Sequence, residues 1–350
     1  MSPSESLRLR ILLEEPEAGE RKPDGEAVVL RAGSTVRGIV EVEVGDEVDF
    51  RSFEVGFHWR TEGKGNRETG KGGCTVLEEE ATWTSGTRRR FPFAVTVPWG
   101  PLSYSGKILK VRWALTASVD RSLLRGNVEE AVPVEIQAAP EMDQVDLGPQ
   151  PQKKGSLEAE KKGYAGLWLV LGLGCLLGAV VLGAVKGWDF PGALRWLVFS
   201  LMVAGFLLTL RGIWRRLGKG KLGEPSVTLS TTELQRGEEI RFGLAMRPER
   251  RTEIRKLEVI LECEERVVHG HGQYRSHYRK TVYERRVVLA ERQVVEVHRG
   301  MRRKGTVTIP TDAPVSFGAP SNQVVWWLRF QGDIVGWPDW REPHLLTVRP

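Results

Sequence analysis

VTVPWGPLSYSG at residues 95–106 is echoed by VTIPTDAPVSFG at residues 307–318. Each phrase reads as an apolar strand ending on a proline, a short crossing stiffened by a second proline, and an aromatic that leads into a new strand. Pro98 and Pro310 lack the N–H that ladder pairing needs, so the first strand stops there. Pro101 and Pro314 hold the crossing. Tyr104 and Phe317 stand where an aromatic would cover the end of a core. The correspondence continues downstream: Trp113 follows Tyr104 by nine positions, and Trp326 follows Phe317 by nine. Leu115 keeps step with Leu328, and Asp120 with Asp333. Upstream, LRAGSTVRGIVEV (30–42) is similar to LQRGEEIRFGLAM (234–246). Order and spacing hold across most of each half, so the chain carries two copies of one unit.

The unit is β-rich. Phe53, Val55, Phe57 and Trp59 alternate with Glu54, Gly56, His58 and Arg60. Leu109, Val111, Trp113 and Leu115 alternate with Lys110, Arg112, Ala114 and Thr116. In the second copy Leu257, Val259, Leu261 and Cys263 alternate with Glu258, Ile260, Glu262 and Glu264, and Val324, Trp326, Leu328 and Phe330 form another inward set. Period two marks strands buried on one face, and turn residues at short intervals mark a sandwich or barrel. The predicted class is all-β, with Ig-like sandwiches over 1–139 and 223–350.

Composition supports real cores. Of 350 residues 41% are hydrophobic and 27% charged, and the formal charge is +6. That charge is spread along the chain, so nucleic acid is not an expected partner. Cys74, Cys175 and Cys263 are an odd, scattered set, which suits a reducing compartment and not a disulfide framework. The first 25 residues lack the apolar run and cleavage pattern of a secretory signal.

Between the copies lie two apolar runs. Residues 164–185 carry no charge, and 194–214 have an uncharged centre from Trp196 to Leu210. Each is long enough to cross a bilayer as a helix. The expectation is a transmembrane hairpin: linker 140–163, helix 164–185, loop 186–193, helix 194–214 and basic linker 215–222. Lys153, Lys154, Lys161 and Lys162 before it, and Arg215, Arg216, Lys219 and Lys221 after it, place both flanks in the cytoplasm. A multi-pass protein of the inner or plasma membrane follows. Gly174 and Gly178 have the spacing that lets another helix approach, which is compatible with a homo-oligomer.

RRRFPFAVTVPWGPLSYSGKILKVRWALTASVD (88–120) resembles the late strands of an arrestin N-domain, and KGTVTIPTDAPVSFGAPSNQVVWWLRFQGDI (304–334) resembles the same element again. The resemblance covers nearly all of both halves outside the apolar runs. It implies the sandwiches of arrestins, the retromer cargo-adaptor subunit and bacterial sporulation-control proteins, which are adaptors and scaffolds. In this chain about 80 residues separate the two domains that arrestins join directly. No Pro-Pro-x-Tyr motif and no clathrin-type tail is present, and no phosphate-sensing residue carries over.

Several stretches imitate chemistry. GNRETGKGG (65–73) has Gly65, Gly70 and Lys71 at P-loop spacing, but Gly72 stands where a magnesium-holding Ser or Thr is needed, and strands flank it on both sides. It reads as a basic hairpin tip. VVHGHGQYRSHYRK (267–280) occupies the same place in the second copy. His269, His271 and His277 there admit zinc ligation, or a solvated polar hairpin; no fixed set of four ligands is visible. GLGCLLG (172–178) imitates a dinucleotide fingerprint inside an apolar run. Trp337, Asp339 and Trp340 form a loop that either anchors a partner or folds back over the sandwich. The expectation is a non-enzymatic protein without cofactor or resident metal, a membrane-anchored scaffold for a protein partner. The alternative is an accessory membrane subunit of a transporter or envelope complex, with the helical hairpin as its contact.

Overall fold

A computed structural model describes residues 7–14, 27–121, 126–139, 225–297, 299–336 and 339–350, with scattered helical positions between 173 and 210. Nine strands build the first sandwich: β1 (Leu7–Leu13), β2 (Val28–Arg31), β3 (Thr35–Val44), β4 (Val48–Gly63), β5 (Thr69–Trp83), β6 (Arg88–Thr96), β7 (Tyr104–Ser105), β8 (Leu109–Arg121) and β9 (Val128–Gln137). Ten build the second: β10 (Ser226–Leu229), β11 (Glu233–Gln235), β12 (Glu239–Met246), β13 (Thr252–His269), β14 (Ser276–Ala290), β15 (Gln293–Val295), β16 (Met301–Thr308), β17 (Phe317–Gly318), β18 (Asn322–Ile334) and β19 (Trp340–Arg349).

The repeat is a repeat of topology. A three-stranded sheet β1-β3-β6 faces a sheet ordered β2-β9-β8-β4-β5, and β10-β12-β16 faces β11-β19-β18-β13-β14. β7 and β17 make the same short pairing with β8 and β18. Gly33 and Gly237 turn the chain at the same point with φ of +77° and +81°, where a Cβ would be strained.

The twin phrases earn their repetition through backbone hydrogen bonds. The Trp113 indole donates to the Pro101 carbonyl at 2.7 Å, and the Trp326 indole to the Pro314 carbonyl at 2.8 Å. Ser103 and Ser316 tie the crossing to the last strand of their sandwich. Their hydroxyls accept from the amides of Ile136 and Val348, both at 2.9 Å, while their own amides donate to the same residues' carbonyls. Buried indole N–H groups and crossing-loop amides are thereby satisfied without water. The phrase is a structural device, and its serine is the element that pattern reading passes over.

The expected transmembrane hairpin is corrected. Among the described residues no helix is long and apolar enough to cross a membrane. Hydropathy measures the length of an apolar run, whereas a crossing needs an unbroken helix of that length. The multi-pass membrane localisation, its cytoplasmic termini and the accessory-subunit alternative rested on those spans and fall with them. Most of 164–185 and 194–214, and both linkers, lie outside the described residues. Gly174 and Gly178 are helical and exposed, and nothing lies within 4 Å of a Cβ built on either.

Candidate functional site

The two sandwiches meet, and the contact is polar at its centre. Glu265, on the inward side of β13, is fully buried. Its carboxylate accepts from the Tyr104 hydroxyl at 2.6 Å, the Lys107 amide at 2.8 Å and the Ile108 amide at 2.6 Å, all from the first sandwich. Burial, then the hydrogen bond to Glu265, pushes the Tyr104 phenol well above its usual range. On the other side Asn322 is also buried. Its amide donates to the Asn66 carbonyl at 2.7 Å, to Glu68 at 2.9 Å and to the Thr61 hydroxyl at 3.2 Å. The second Glu68 oxygen accepts the Ser321 amide at 2.7 Å. Phe317 packs edge-on against Trp59, with ring centroids 6.0 Å apart.

These contacts obey an internal two-fold. Ladder registers align Val111 opposite Thr61 and Val324 opposite Glu265, so Thr61 and Glu265 are counterparts, as are Trp59 and Cys263. Tyr104 and Phe317 are counterparts as well, and each reaches across to the opposite copy. Thr61 and Glu265 differ by 204 positions, and so do Asn66 and Gly270, which bond to one another at 3.1 and 2.9 Å. A residue that touches its own counterpart lies on the symmetry axis of an isologous interface. The seam is therefore built like a homodimer contact within one chain. Apolar packing follows the same route, because Leu109 and Val111 belong to the continuous core of the second sandwich.

A second polar layer covers the outer side of β13. Arg329 bridges Glu262 at 2.7 Å and Glu264 at 2.8 Å, Arg266 donates twice to Glu264, and Thr281 donates to Glu262. The guanidinium carbons of Arg266 and Arg329 lie 4.8 and 5.8 Å from the Trp327 ring centroid. Burial opposes the Glu264 charge, but Arg266 and Arg329 outweigh it and hold the carboxyl below its ordinary value. Burial and the neighbouring Glu264 raise Glu262.

The cleft beside the seam, about 340 Å³, is lined by Asn66, the 266–277 hairpin and residues 320–323. His271 and His277 stand in it next to Arg275, and His269 does not. Among the described residues no three His, Cys, Asp or Glu side chains converge as metal ligands. The P-loop imitation at 65–73 runs from the turn after β4 into β5, with no helix behind it. Its tip supplies Asn66 and Glu68 to the seam, a role no local pattern reveals. Trp340 begins β19 and packs against the second core, so it is a cover for the sandwich. Asp339 is exposed and lies 3.6 Å from Arg341; Trp337 falls outside the described residues.

The seam has an alkaline signature. Burial, with the charges of Glu265, Glu264 and Glu262, raises the Cys263 thiol, and Tyr104 is raised too. An unfolded chain releases these protons near pH 8.5 and 10, about the ordinary thiol and phenol values. Both folded values are higher, so the stabilisation is complete below about pH 8.5 and falls as pH rises above it. Urea midpoints should stay level to about pH 8.5 and then decline. Cys263→Ala should remove the decline between about pH 8.5 and 10. An unchanged slope in that variant would contradict the assignment.

No protein-family model matches the chain, and no curated protein matches it. Among solved structures it is similar to Spo0M, the sporulation control protein of Bacillus subtilis, at 19% identity and a TM-score of 0.30. The match covers 36% of this chain and 49% of that one, so the chain spans about half the length of that neighbour.

Proposed function

We propose that this chain is a non-catalytic scaffold that offers a protein partner one composite surface made by two sandwiches fixed in relative position. The observation that carries the reading is the seam. A buried carboxylate accepting three hydrogen bonds from the opposite sandwich resists hinge motion. Independent modules on a flexible linker would have no use for such a contact, whereas a surface spanning both modules requires it. The outer sheet of the first sandwich contributes a charged face of its own to that surface. Rows Arg8–Glu43–Arg88 and Arg10–Glu41–Arg90 cross it and line a broad concavity of about 800 Å³. Glu43 and Glu41 neutralise Arg88 and Arg90 at 2.5 and 2.7 Å. The net excess of arginine suits an acidic protein surface.

Photo-crosslinking groups at Arg8 and Arg88 of the first sandwich and at the exposed Asp339 of the second, in the full chain and activated in the native cell, test the reading. A defined protein adduct is expected at one or more of them, and it should disappear when Asn66→Ala and Tyr104→Phe loosen the seam. Adduct formation indifferent to the seam variants, or turnover of a substrate by the purified chain, would remove the scaffold reading.

A further inference from the structure

The cleft beside the seam has the composition of an anion site. Its lining includes Arg266, His271, Arg275, His277 and Gln323, and contains no carboxylate. Arg266 is fully buried. Its Nε and Nη2 both go to one oxygen of Glu264, and its Nη1 has no hydrogen-bond partner. The other Glu264 oxygen is occupied by Arg329. Glu262 and Glu264 thus balance Arg266 and Arg329, Glu68 is taken by the Ser321 amide and the Asn322 side chain, and no carboxylate lines the cleft beside Arg275. On the ladder Arg266 lies directly opposite Arg279 of β14, so a second guanidinium borders this position of the strand. Gln323 flanks Arg266 on the other side.

We propose that this cleft binds a small, free, multiply charged oxyanion of the phosphate class. Guanidinium groups supply only donors, an imidazole N–H adds one more, and the guanidinium fork matches adjacent oxyanion oxygens two at a time. A volume of about 340 Å³ holds a pyrophosphate-sized group and excludes a folded segment. Asn66, the residue on the internal two-fold, lines the same cleft. Occupation therefore ties the 266–277 hairpin to the first sandwich and reinforces the seam.

The probes are sodium pyrophosphate and sodium phosphate, titrated calorimetrically into the full-length protein at constant ionic strength. Saturable binding of one pyrophosphate per chain is expected, with inorganic phosphate weaker. Arg275→Glu, and separately His271→Ala with His277→Ala, should each raise Kd at least tenfold. Those three side chains are exposed, so the fold is preserved. Arg251→Glu, just before β13 at the end opposite the cleft and itself 72% exposed, should leave Kd unchanged. Absence of saturable binding at millimolar pyrophosphate, or an equal loss from Arg251→Glu and Arg275→Glu, would overturn the site, the latter by showing only diffuse attraction.

Discussion

Glu265→Leu is expected to destabilise the chain by about 3–5 kcal/mol, a large part of a domain's usual margin. Leucine fills the space, so the loss is not one of packing. It arises because the amides of Lys107 and Ile108 and the hydroxyl of Tyr104 lose the carboxylate that accepts from them at the part-buried seam. A stranded buried donor costs about 1–3 kcal/mol. Glu265→Gln separates shape from charge. Its carbonyl oxygen still accepts, but the amide nitrogen cannot, so an intermediate loss of about 1–3 kcal/mol is expected. Tyr104→Phe removes a single bond. Combined with Glu265→Gln it should cost less than the sum of the two, by about 0.5–3 kcal/mol, because the pair shares one interaction. Urea unfolding of the four variants and the wild type measures all of this. Additive losses would show that Tyr104 and Glu265 do not interact, and Glu265→Leu as stable as wild type would show the seam open in solution.

The same residues show why the fold was legible before the seam was. Period two and the twin proline phrases specify strands, turns and duplication, because each is a local consequence of side-chain direction and missing N–H groups. The seam has no local signature. Thr61 and Glu265 are counterparts in the repeat, yet one is a hydroxyl and the other a carboxylate, and only the tertiary pairing of Glu265 with Tyr104 explains the exchange. Asn66 and Gly270, 204 positions apart, read as solvated hairpin tips until the two tips are found against each other. Alternation also misleads along β13. Glu258, Glu262 and Glu264 occupy the face that a half-buried strand gives to water, and all three are buried. Glu262 and Glu264 are covered by Arg329, Arg266 and Trp327. A charge in water and a charge under a guanidinium look alike in sequence. The apolar runs at 164–185 and 194–214 misled for another reason: hydropathy reports composition alone, and among the described residues no helix is long and apolar enough to cross a membrane.

Trp326→Ala should be the most damaging single change in the second sandwich, at about 3–5 kcal/mol. Trp326 is fully buried, faces Tyr283 with ring centroids 5.6 Å apart, and sits on the central ladder between Cys263 of β13 and Leu346 of β19. Its removal leaves a cavity that three paired strands cannot close, and it releases the Pro314 carbonyl that anchors the crossing. Trp326→Phe keeps most of the apolar contact and loses the indole N–H, so about 1–3 kcal/mol is expected. Trp113→Ala is the matched change in the first sandwich, but its consequences should stay more local. Trp113 lies in the first core, which among the described residues takes only the half-buried Val315 from the other copy, whereas the core around Trp326 continues across the seam into the fully buried Leu109 and Val111. Loosening around Trp326 therefore reaches Ile108, whose amide is held by Glu265 two positions along β13 from Cys263. Hydrogen exchange reads this directly. Trp326→Ala should deprotect amides 107–111 of the other sandwich, and Trp113→Ala should leave the amides of β18 protected beyond its immediate neighbours. If Trp326→Ala unfolds the second sandwich while amides 107–111 keep their wild-type protection, the cores are energetically separate and the seam is a contact between independent domains.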